Sequence, residues 1–365
     1  MPECVVCQQR SPLISQSLGL CGQCARSDAP EAQRRVAEVH SQCRRRFGLP
    51  VQPPRAKGGA LCTHCANACL IAPGRRGYCG VRHNAGGTIS GGDADVAAVQ
   101  WYYDPLPTNC VADWVCPASG PAGYPVFTDT RGPERGYLNL GVFYEACSFD
   151  CLFCQNWHFK RHSLRGPRHS AAELAAAVTA RTRCICFFGG DPSCQVEHAL
   201  AAARLARQRA GGRFFRVCWE TNGSVSRPEL DQMVQLTLES GGVIKFDLKA
   251  WDEPLHRALC GVSNRHTLDN FRRVAEQIGQ RPDPPPLVAS TLLVPGYVDE
   301  TQVDGIARFI AELDASIPYA LLAFHPCFAM GDLPVTSRRQ AEACLEAARR
   351  AGLTRVRLGN VHLLA

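Results

Sequence analysis

Three cysteines in one short segment are the residues of this sequence best suited to chemistry. Cys147, Cys151 and Cys154 lie in the run CSFDCLFCQNW at residues 147–157. Cysteine thiolates hold iron–sulfur clusters, and a cubane [4Fe–4S] cluster normally takes four of them. Three thiolates from one loop would leave one iron with an open position, which catalytic metal sites keep and structural sites avoid. An ordinary zinc site with three cysteine ligands is the alternative.

Alternating strands and helices must position this loop. The apolar run at residues 136–144 predicts a buried strand that leads into the loop. Helix starts follow later, most clearly at the capping-box pairs Ser170/Glu173 and Ser226/Glu229. Such βα units predict a parallel α/β sheet whose active site lies at the C-terminal ends of its strands. The predicted strands are residues 137–142, 184–188, 214–219, 243–248, 287–293 and 319–324.

Glycine or polar motifs follow the second, third, fourth and sixth of these strands. Two adjacent glycines would let a ligand approach the backbone, and a neighbouring acid could accept a hydrogen bond from an ammonium group. A lysine near an acid could face a carboxylate. The residues are Gly189, Gly190 and Asp191, then Glu220, Thr221 and Asn222, then Asp247 and Lys249, and finally His325.

The CxxxCxxC run and the ordered motifs resemble the radical S-adenosylmethionine (SAM) superfamily over residues 60–362. The resemblance implies a partial TIM-like (β/α)6 barrel, with a [4Fe–4S] cluster on Cys147, Cys151 and Cys154 and SAM on the strand-end motifs. In that superfamily an electron from the cluster splits SAM, and the resulting 5′-deoxyadenosyl radical abstracts a hydrogen atom from the substrate. A flavodoxin- or ferredoxin-like electron donor is implied. Asp191 stands where that superfamily has Glu.

The third and fourth motifs also resemble those of pyruvate formate-lyase activating enzymes, in which they hold a monovalent cation beside SAM. Glu220, Thr221 and Asp247 could hold such a cation here, but Lys245 could replace the ion. Residues 255–264 continue the resemblance, and we expect them to shape the substrate side.

A second cysteine cluster precedes the barrel. Four thiolates within about twenty residues, with glycines that allow tight turns, predict a closed metal site with zinc or an auxiliary [4Fe–4S] cluster. The stretch resembles the N-terminal segment of the radical SAM proteins of the AmmeMemoRadiSam system, themselves related to the activating enzymes. The ligands would be Cys62, Cys65, Cys69 and Cys79.

This chain departs from that family in the run TNCVADWVCP at residues 108–117. Cys110 and Cys116 could add cluster ligands, line the substrate side or be ordinary buried cysteines. The loop at residues 117–136 is expected over the barrel mouth. The remaining cysteines of barrel strands and helices are expected in the core; these are Cys184, Cys186, Cys218 and Cys344.

Two CxxC pairs open the chain, Cys4/Cys7 and Cys21/Cys24. They can close a tetrahedral all-sulfur site for zinc, or for iron as in rubredoxin. The metal would fold a segment too short for its own core, and the segment could serve docking or electron transfer. A basic helix at residues 32–47 should end in a solvated arginine run, residues 44–46, followed by a linker at 50–54. Deleting residues 1–50 should then leave SAM cleavage measurable but impair partner docking.

Composition limits the alternatives. The chain has 365 residues, 21 cysteines and a net charge of +7. Without a signal sequence or membrane span, the cysteines indicate metal ligands in a reducing cytoplasm, and the modest charge does not indicate nucleic-acid binding. We expect four parts: residues 1–50, an accessory segment 51–135, the barrel 136–335, and a C-terminal helix and strand at 336–365.

Three functions remain open. The chain could make a glycyl radical on a partner protein, as an activase does. It could modify a small molecule or another protein, which we favour because the N-terminal cysteine segments are not the usual ferredoxin-like insert of activases. Finally, a non-catalytic iron–sulfur electron carrier would keep the cysteines but would not need the strand-end motifs.

Overall fold

Long apolar runs form the strands at the centre of the protein, because strands covered on both faces need successive apolar residues. The computed structural model describes residues 1–365. The strands are β1 (Ala60–Leu61), β2 (Leu70–Ile71), β3 (His83–Ala85), β4 (Thr88–Ser90), β5 (Ala97–Pro105), β6 (Leu138–Tyr144), β7 (Arg168–His169), β8 (Thr182–Gly189), β9 (Arg216–Thr221), β10 (Ile244–Asp247), β11 (Leu287–Leu293), β12 (Tyr319–Ala323) and β13 (Val356–Gly359).

Helices cover the sheet or join its strands. They are α1 (Gly22–Ala25), α2 (Pro30–Arg45), α3 (Phe159–His162), α4 (Ala171–Ala176), α5 (Val196–Ala210), α6 (Arg227–Ser240), α7 (Glu253–Cys260), α8 (Arg265–Ala275), α9 (Glu300–Asp314) and α10 (Arg338–Arg350). No helix combines the length and the apolar character that crossing a bilayer requires.

Nine strands form the main sheet, in the order β13-β12-β11-β10-β9-β8-β6-β5-β7. Seven strands, β6 and β8 to β13, pair parallel with their neighbours, which confirms the predicted α/β barrel-type sheet. Strand β5 was not predicted and runs antiparallel to β6, with Val99 opposite Tyr144. Only its first three residues are buried, so its sequence lacks the continuous apolar run of the parallel strands.

Both of the clearest helix-start predictions are confirmed, but only one of the two capping boxes forms. Ser170 and Glu173 form a full capping box at α4. Ser226 precedes α6, but its side chain makes no capping hydrogen bond. The Glu229 carboxylate instead lies 3.5 Å from Nδ1 of His64, in the accessory segment. The contact between Glu229 and His64 therefore replaces the capping box expected between Glu229 and Ser226.

The loop at residues 117–136 closes the opposite end of the barrel from the one expected. Glu134 is fully buried and accepts a 2.9 Å hydrogen bond from Arg216, the first residue of β9. Asp129 pairs at 2.9 Å with Arg183, near the start of β8. Because both arginines lie where strands begin, the expectation that this loop covers the mouth is wrong.

The first fifty residues pack onto the barrel. Leu18 and Leu20 belong to the same apolar core as the barrel strands. The hydroxyl of Tyr297, which follows β11, accepts a 3.0 Å hydrogen bond from the Ser15 amide and donates one of 2.8 Å to the Leu20 carbonyl. The N-terminal segment therefore shares its core with the domain that carries the predicted site.

Candidate active site

A cavity of about 320 Å³ opens where the parallel strands end. It brings together residues from the cysteine loop and from three of the four strand-end motifs. The predicted site residues that line it are Cys147, Cys151, Cys154, Gly189, Gly190, Asp191, Glu220, Thr221, Asn222, Asp247 and Lys249. His325 is exposed and does not line this cavity.

Residues 255–264 hold the cysteine loop in place. The amide of Asp150 donates to the Cys260 carbonyl and the amide of Leu152 to the Leu259 carbonyl, both at 2.9 Å. These bonds join the loop to the end of α7. The segment therefore supports the cysteine loop from behind, and the expectation that it shapes the substrate side is wrong for these residues.

A buried carboxylate fixes the loop from within. Asp150 lies between the first two cysteines and is fully buried. Its oxygens lie 2.8 Å from Nδ1 of His40 and 3.4 Å from Nη1 of Arg44, and they also contact the Lys160 ammonium. Burial alone would raise the pKa of Asp150, but Lys160, His40 and Arg44 lower it to about 2. The carboxylate is therefore ionised and held by three basic side chains.

Arg44 shows why the N-terminal helix matters to the site. Its side chain is 1% exposed, so the expectation of a solvated arginine run is wrong for this residue. The guanidinium donates to the Pro50 and Tyr78 carbonyls and lies over the Tyr78 ring. Helix α2 supplies both His40 and Arg44 to Asp150. Removing residues 1–50 would therefore leave the buried Asp150 carboxylate with Lys160 as its one basic partner. We therefore now expect this deletion to destabilise the cysteine loop as well, and the prediction that SAM cleavage survives it stays a prediction.

The three loop thiols suit a cluster of several irons better than one metal ion. A tetrahedral site with metal–sulfur bonds near 2.3 Å needs sulfurs within about 4 Å of one another. Only the N-terminal set Cys4, Cys7, Cys21 and Cys24 has ligand atoms that all lie within 4.8 Å of one another. The loop thiols are spread more widely around the cavity, which disfavours the single-zinc alternative for them.

The three loop thiols differ in their pKa. The Cys260 thiol beside Cys151, with the charges of Lys249 and Lys160, lowers the pKa of Cys151 despite its burial. The amide nitrogen of Asn222 lies 3.7 Å from the Cys147 sulfur. Burial instead raises the pKa of Cys147 and of Cys154, so in this structure the surroundings favour the thiolate, the form that binds iron, at Cys151 alone.

The two glycines serve loop packing. A Cβ at Gly189 would lie 2.5 Å from the Tyr144 amide nitrogen, and one at Gly190 would lie 2.1 Å from the Ala146 carbonyl oxygen. The Gly190 amide also donates to the Tyr144 carbonyl at 2.8 Å. Any side chain at either position would push this turn away from the end of β6 and from the cysteine loop.

Asp191 ties two motifs together. Its Oδ2 accepts from the Asn222 amide at 2.6 Å and from the Thr221 hydroxyl at 3.1 Å, while its Oδ1 accepts from the Ser193 amide at 2.8 Å. A carboxylate has about four acceptor positions, so these bonds leave one for an ammonium donor in the cavity.

Two lysines neutralise the other carboxylates of the cavity. Lys245 lies 2.7 Å from Glu220, and Lys249 lies 2.6 Å from Asp247. Burial alone would lower the pKa of Lys249, but the charges of Asp247 and Cys151 raise it, so it stays cationic. Both acids that could hold a monovalent cation are therefore paired with lysines of the chain itself.

The segment at residues 108–116 enters the barrel and forms the wall facing the cysteine loop. Cys110 lines the cavity, and its sulfur lies 3.2 Å from the Lys245 ammonium and 3.9 Å from Glu220. Cys116 lies deeper, in a smaller cavity that Cys184 also lines. Of the roles predicted for these two cysteines, lining the substrate side fits Cys110. Neither Cys110 nor Cys116 contacts the second cysteine cluster.

The second cysteine cluster lies directly behind the site. Cys62, Cys69 and Cys79 are buried. The side-chain amide of Asn67, within the segment, donates to the Ser148 carbonyl of the cysteine loop at 2.7 Å. The Ala66 amide donates at 2.8 Å to the carbonyl of Ser224, just after the third motif. The accessory segment thus touches two of the loops that build the cavity.

Sequence reasoning missed several supporting residues. His40, Lys160 and Cys260 touch the cysteine loop, yet His40 and Cys260 lie more than a hundred residues from it along the chain. The one signal was Asp150 itself, an acid inside a buried cysteine loop, which needs a cationic partner.

Comparisons with known proteins agree with this geometry. Residues 142–310 match the sequence profile of the radical SAM superfamily. An isethionate sulfite-lyase activating enzyme of Oleidesulfovibrio alaskensis is 33% identical over 138 residues, which are 38% of this chain and 40% of that protein. The pyruvate formate-lyase 1-activating enzyme of Escherichia coli is 24% identical over 206 residues, 52% of this chain and 78% of that protein.

A longer match is an uncharacterized protein of Methanocaldococcus jannaschii, 24% identical over 309 residues, 82% of this chain and 81% of that protein. Among solved structures, a domain of a pyruvate-formate lyase-activating enzyme from Bacteroides vulgatus has a TM-score of 0.37 at 22% identity, covering 48% of this chain and 98% of that chain. The chain spans 40% of the length of the isethionate sulfite-lyase activating enzyme. The resemblance to the radical SAM superfamily is therefore confirmed over residues 142–310, which match its profile.

Proposed function

We propose that the protein is a radical SAM enzyme that abstracts a hydrogen atom from a small-molecule or protein substrate. The observation that carries this proposal is the shared cavity, where three loop thiols meet the strand-end motifs. When bound, a [4Fe–4S] cluster and SAM would supply reductive cleavage to a 5′-deoxyadenosyl radical. An electron carrier would need the thiols but not this convergence. A reducing cytoplasm suits a chain whose 21 cysteines are all free.

The chain's own groups would bind and orient the cofactors. Cys147, Cys151 and Cys154 would hold the cluster. Lys249, kept charged by Asp247, presents an ammonium to the cavity, where a carboxylate could pair with it. Asp191 keeps one acceptor position for an ammonium.

The accessory cysteines would hold metals of their own. We place zinc at the N-terminal set, whose sulfurs already lie at single-ion spacing. Cys62, Cys65, Cys69 and Cys79 could hold zinc or an auxiliary [4Fe–4S] cluster, and we favour the cluster because their sulfurs do not all lie at single-ion spacing. A flavodoxin- or ferredoxin-like protein would deliver the electron.

A second candidate for the reaction is activation of a glycyl radical enzyme. The named activating enzymes among the relatives favour it. It would be tested with a glycyl radical enzyme encoded beside this chain: a SAM-dependent glycyl radical signal in electron paramagnetic resonance would support it.

Titration of SAM into anaerobically reconstituted protein tests the main proposal. We expect saturable binding that Lys249→Met weakens by about 10- to 100-fold, since a hydrogen bond to a charged group contributes roughly 1.5–3 kcal/mol. Lys57→Met is the matched control, because Lys57 is exposed and does not line the cavity. Absence of SAM binding by protein with an intact cluster would instead favour the electron carrier.

A further inference from the structure

A basic surface lies on the outer side of the cysteine loop. It comes from two segments, residues 39–92 and 151–172, which contain 12 of the 40 lysines and arginines of the chain and none of its 33 acids. The buried basic side chains of these segments have carboxylate partners, because Arg44 and Lys160 pair with Asp150 and Arg82 pairs with Glu197. The basic surface consists of five exposed arginines that form no salt bridge: Arg46, Arg76, Arg161, Arg165 and Arg168.

Aromatic rings join the two segments beside the cysteine loop. The Arg161 guanidinium lies 4.8 Å from the centre of the Trp157 ring, and the Arg46 guanidinium lies 5.9 Å from the centre of the Phe47 ring. The two rings are 6.1 Å apart, and both side chains are half-buried. Arginine and aromatic side chains are enriched at protein–protein interfaces, so this part of the surface has the composition of a docking site.

A second set of contacts extends the basic surface. Arg76 donates a 3.0 Å hydrogen bond to the Gly80 carbonyl, and Arg168 donates one of 2.9 Å to the Ser163 carbonyl. Gly80 packs directly on Ser163, because a Cβ at Gly80 would lie 3.4 Å from the Ser163 Cβ. Arg165 lies between Ser163 and Arg168 in the chain. The accessory segment and the residues that follow the cysteine loop therefore present one continuous positive surface.

The position of the basic surface favours electron delivery over substrate binding. Trp157 follows Cys154 by three residues, so their Cα atoms lie at most about 11 Å apart. None of the five arginines lines the cavity. A substrate must enter the cavity, whereas an electron can reach a cluster through the protein that surrounds it. We propose that an acidic protein that carries one electron docks on the basic surface and reduces the first cluster.

Charge and interface size both fit such a partner. Redox complexes have small interfaces, and complementary charge raises the rate at which the partners meet. The carrier would lose one electron and the cluster would gain one, with no bond formed or broken. The inference rests on the proposed cluster at Cys147, Cys151 and Cys154, but it does not depend on which substrate the enzyme uses.

Binding of a purified, negatively charged flavodoxin to anaerobically reconstituted protein tests the inference. We expect binding that weakens as salt is added, because salt screens exposed charges. Arg161→Glu/Arg165→Glu should weaken binding at low ionic strength by about 10-fold. Arg349→Glu/Arg350→Glu is the matched control. It makes the same change in charge at the end of α10, close in sequence to the start of β13 and so away from the strand ends, and it should leave binding unchanged.

A second readout separates docking from an effect on the cluster itself. Formation of 5′-deoxyadenosine is compared with reduced flavodoxin and with dithionite as the reductant. In the Arg161→Glu/Arg165→Glu protein, the flavodoxin-driven rate should fall by about 10-fold and the dithionite-driven rate should stay unchanged. Iron analysis and circular dichroism verify that this protein is folded and carries its cluster.

Three results would overturn the inference. Equal flavodoxin affinity in the two double variants would place the docking site elsewhere. Equal losses with both reductants would make the two arginines part of the structure of the cysteine loop. RNA binding that Arg161→Glu/Arg165→Glu abolishes, with flavodoxin binding unchanged, would make this a nucleic-acid surface. Because flavodoxin affinity is measured without SAM, failure of this inference is distinct from failure of the proposed enzyme activity, which would appear as absence of product with dithionite.

Discussion

The two cysteine clusters around the active site use the same ligand in opposite settings. The loop at residues 147–154 contributes three thiols to the wall of an open cavity. The segment at residues 62–79 contributes four, none of which lines that cavity, and it is bonded to the cavity loops from outside. The number of cysteines predicts which site could leave a metal position open. The surrounding elements decide which protein groups lie beside each site. The first site lies beside the polar groups at the strand ends. The second site lies outside the cavity and packs against the loops that build it.

Losing one thiol should therefore affect the two sites differently, and this is the largest effect we expect. Cys151→Ala should abolish 5′-deoxyadenosine formation, because three thiolates are the fewest that hold the cluster. Cys79→Ala should leave some product, since the second segment does not line the cavity. Product is measured by chromatography after anaerobic reconstitution. Equal and complete loss in both variants would break the distinction between the two sites.

The buried charge inside the first loop gives the next largest effect. Arg44→Ala should lower the free energy of unfolding by on the order of 3 kcal/mol, because it removes one partner of a buried ion pair. It should also reduce iron retention at the first loop. Arg45→Ala is the matched control, since the neighbouring side chain is exposed. Chemical denaturation and iron analysis measure both quantities, and equal stability of the two variants would contradict the role given to α2.

We predict that the two lysine–carboxylate pairs make SAM binding independent of added cations. SAM affinity of the wild type should be the same in potassium and tetramethylammonium buffers. Lys245→Met leaves Glu220 without its partner, so SAM binding should weaken and should then respond to potassium. Calorimetry in both buffers, with Lys57→Met as the control, measures this. Cation dependence in the wild type would show that Lys245 does not replace the ion.

The smallest effect concerns Cys260, whose thiol lowers the pKa of Cys151 and which we expect to donate to the Cys151 sulfur. Hydrogen bonds to sulfur are among the factors that set cluster potentials, and each one raises the potential by stabilising the reduced form. Cys260→Ala should therefore lower the midpoint potential of the first cluster while iron content stays unchanged. Cys260→Ser should restore part of the shift. A redox titration followed by electron paramagnetic resonance gives the midpoint, and an unchanged midpoint in Cys260→Ala would make that thiol a packing residue.

Local patterns predicted the elements well where each element has a continuous signal. The apolar runs predicted six of the seven parallel strands, and β11 has the predicted bounds, residues 287–293. The seventh, β13, was expected only as a strand of the C-terminal part. Motifs at strand ends converge because parallel strands end at one face of the sheet. Strand β5 was not predicted, because only its first three residues are buried and it lacks the continuous apolar run of the parallel strands.

Contacts between segments that are distant along the chain could not be predicted from the sequence. Asp150 meets His40, 110 residues away, and the loop at residues 117–136 turns to the far end of the barrel because its partners are Arg183 and Arg216. No local pattern encodes such pairings, since they depend on how the elements stack. His325 shows that a local motif can also mislead. It follows the sixth predicted strand, as the motif requires, but its side chain does not line the cavity.

The most direct test of the central claim is formation of 5′-deoxyadenosine. Anaerobically reconstituted protein is analysed for iron and sulfide, reduced with dithionite and mixed with SAM. We predict 5′-deoxyadenosine in the wild type and none in the Cys151→Ala protein. No product from a loaded, reducible cluster, together with no binding of SAM, would contradict the account and leave the protein an electron carrier.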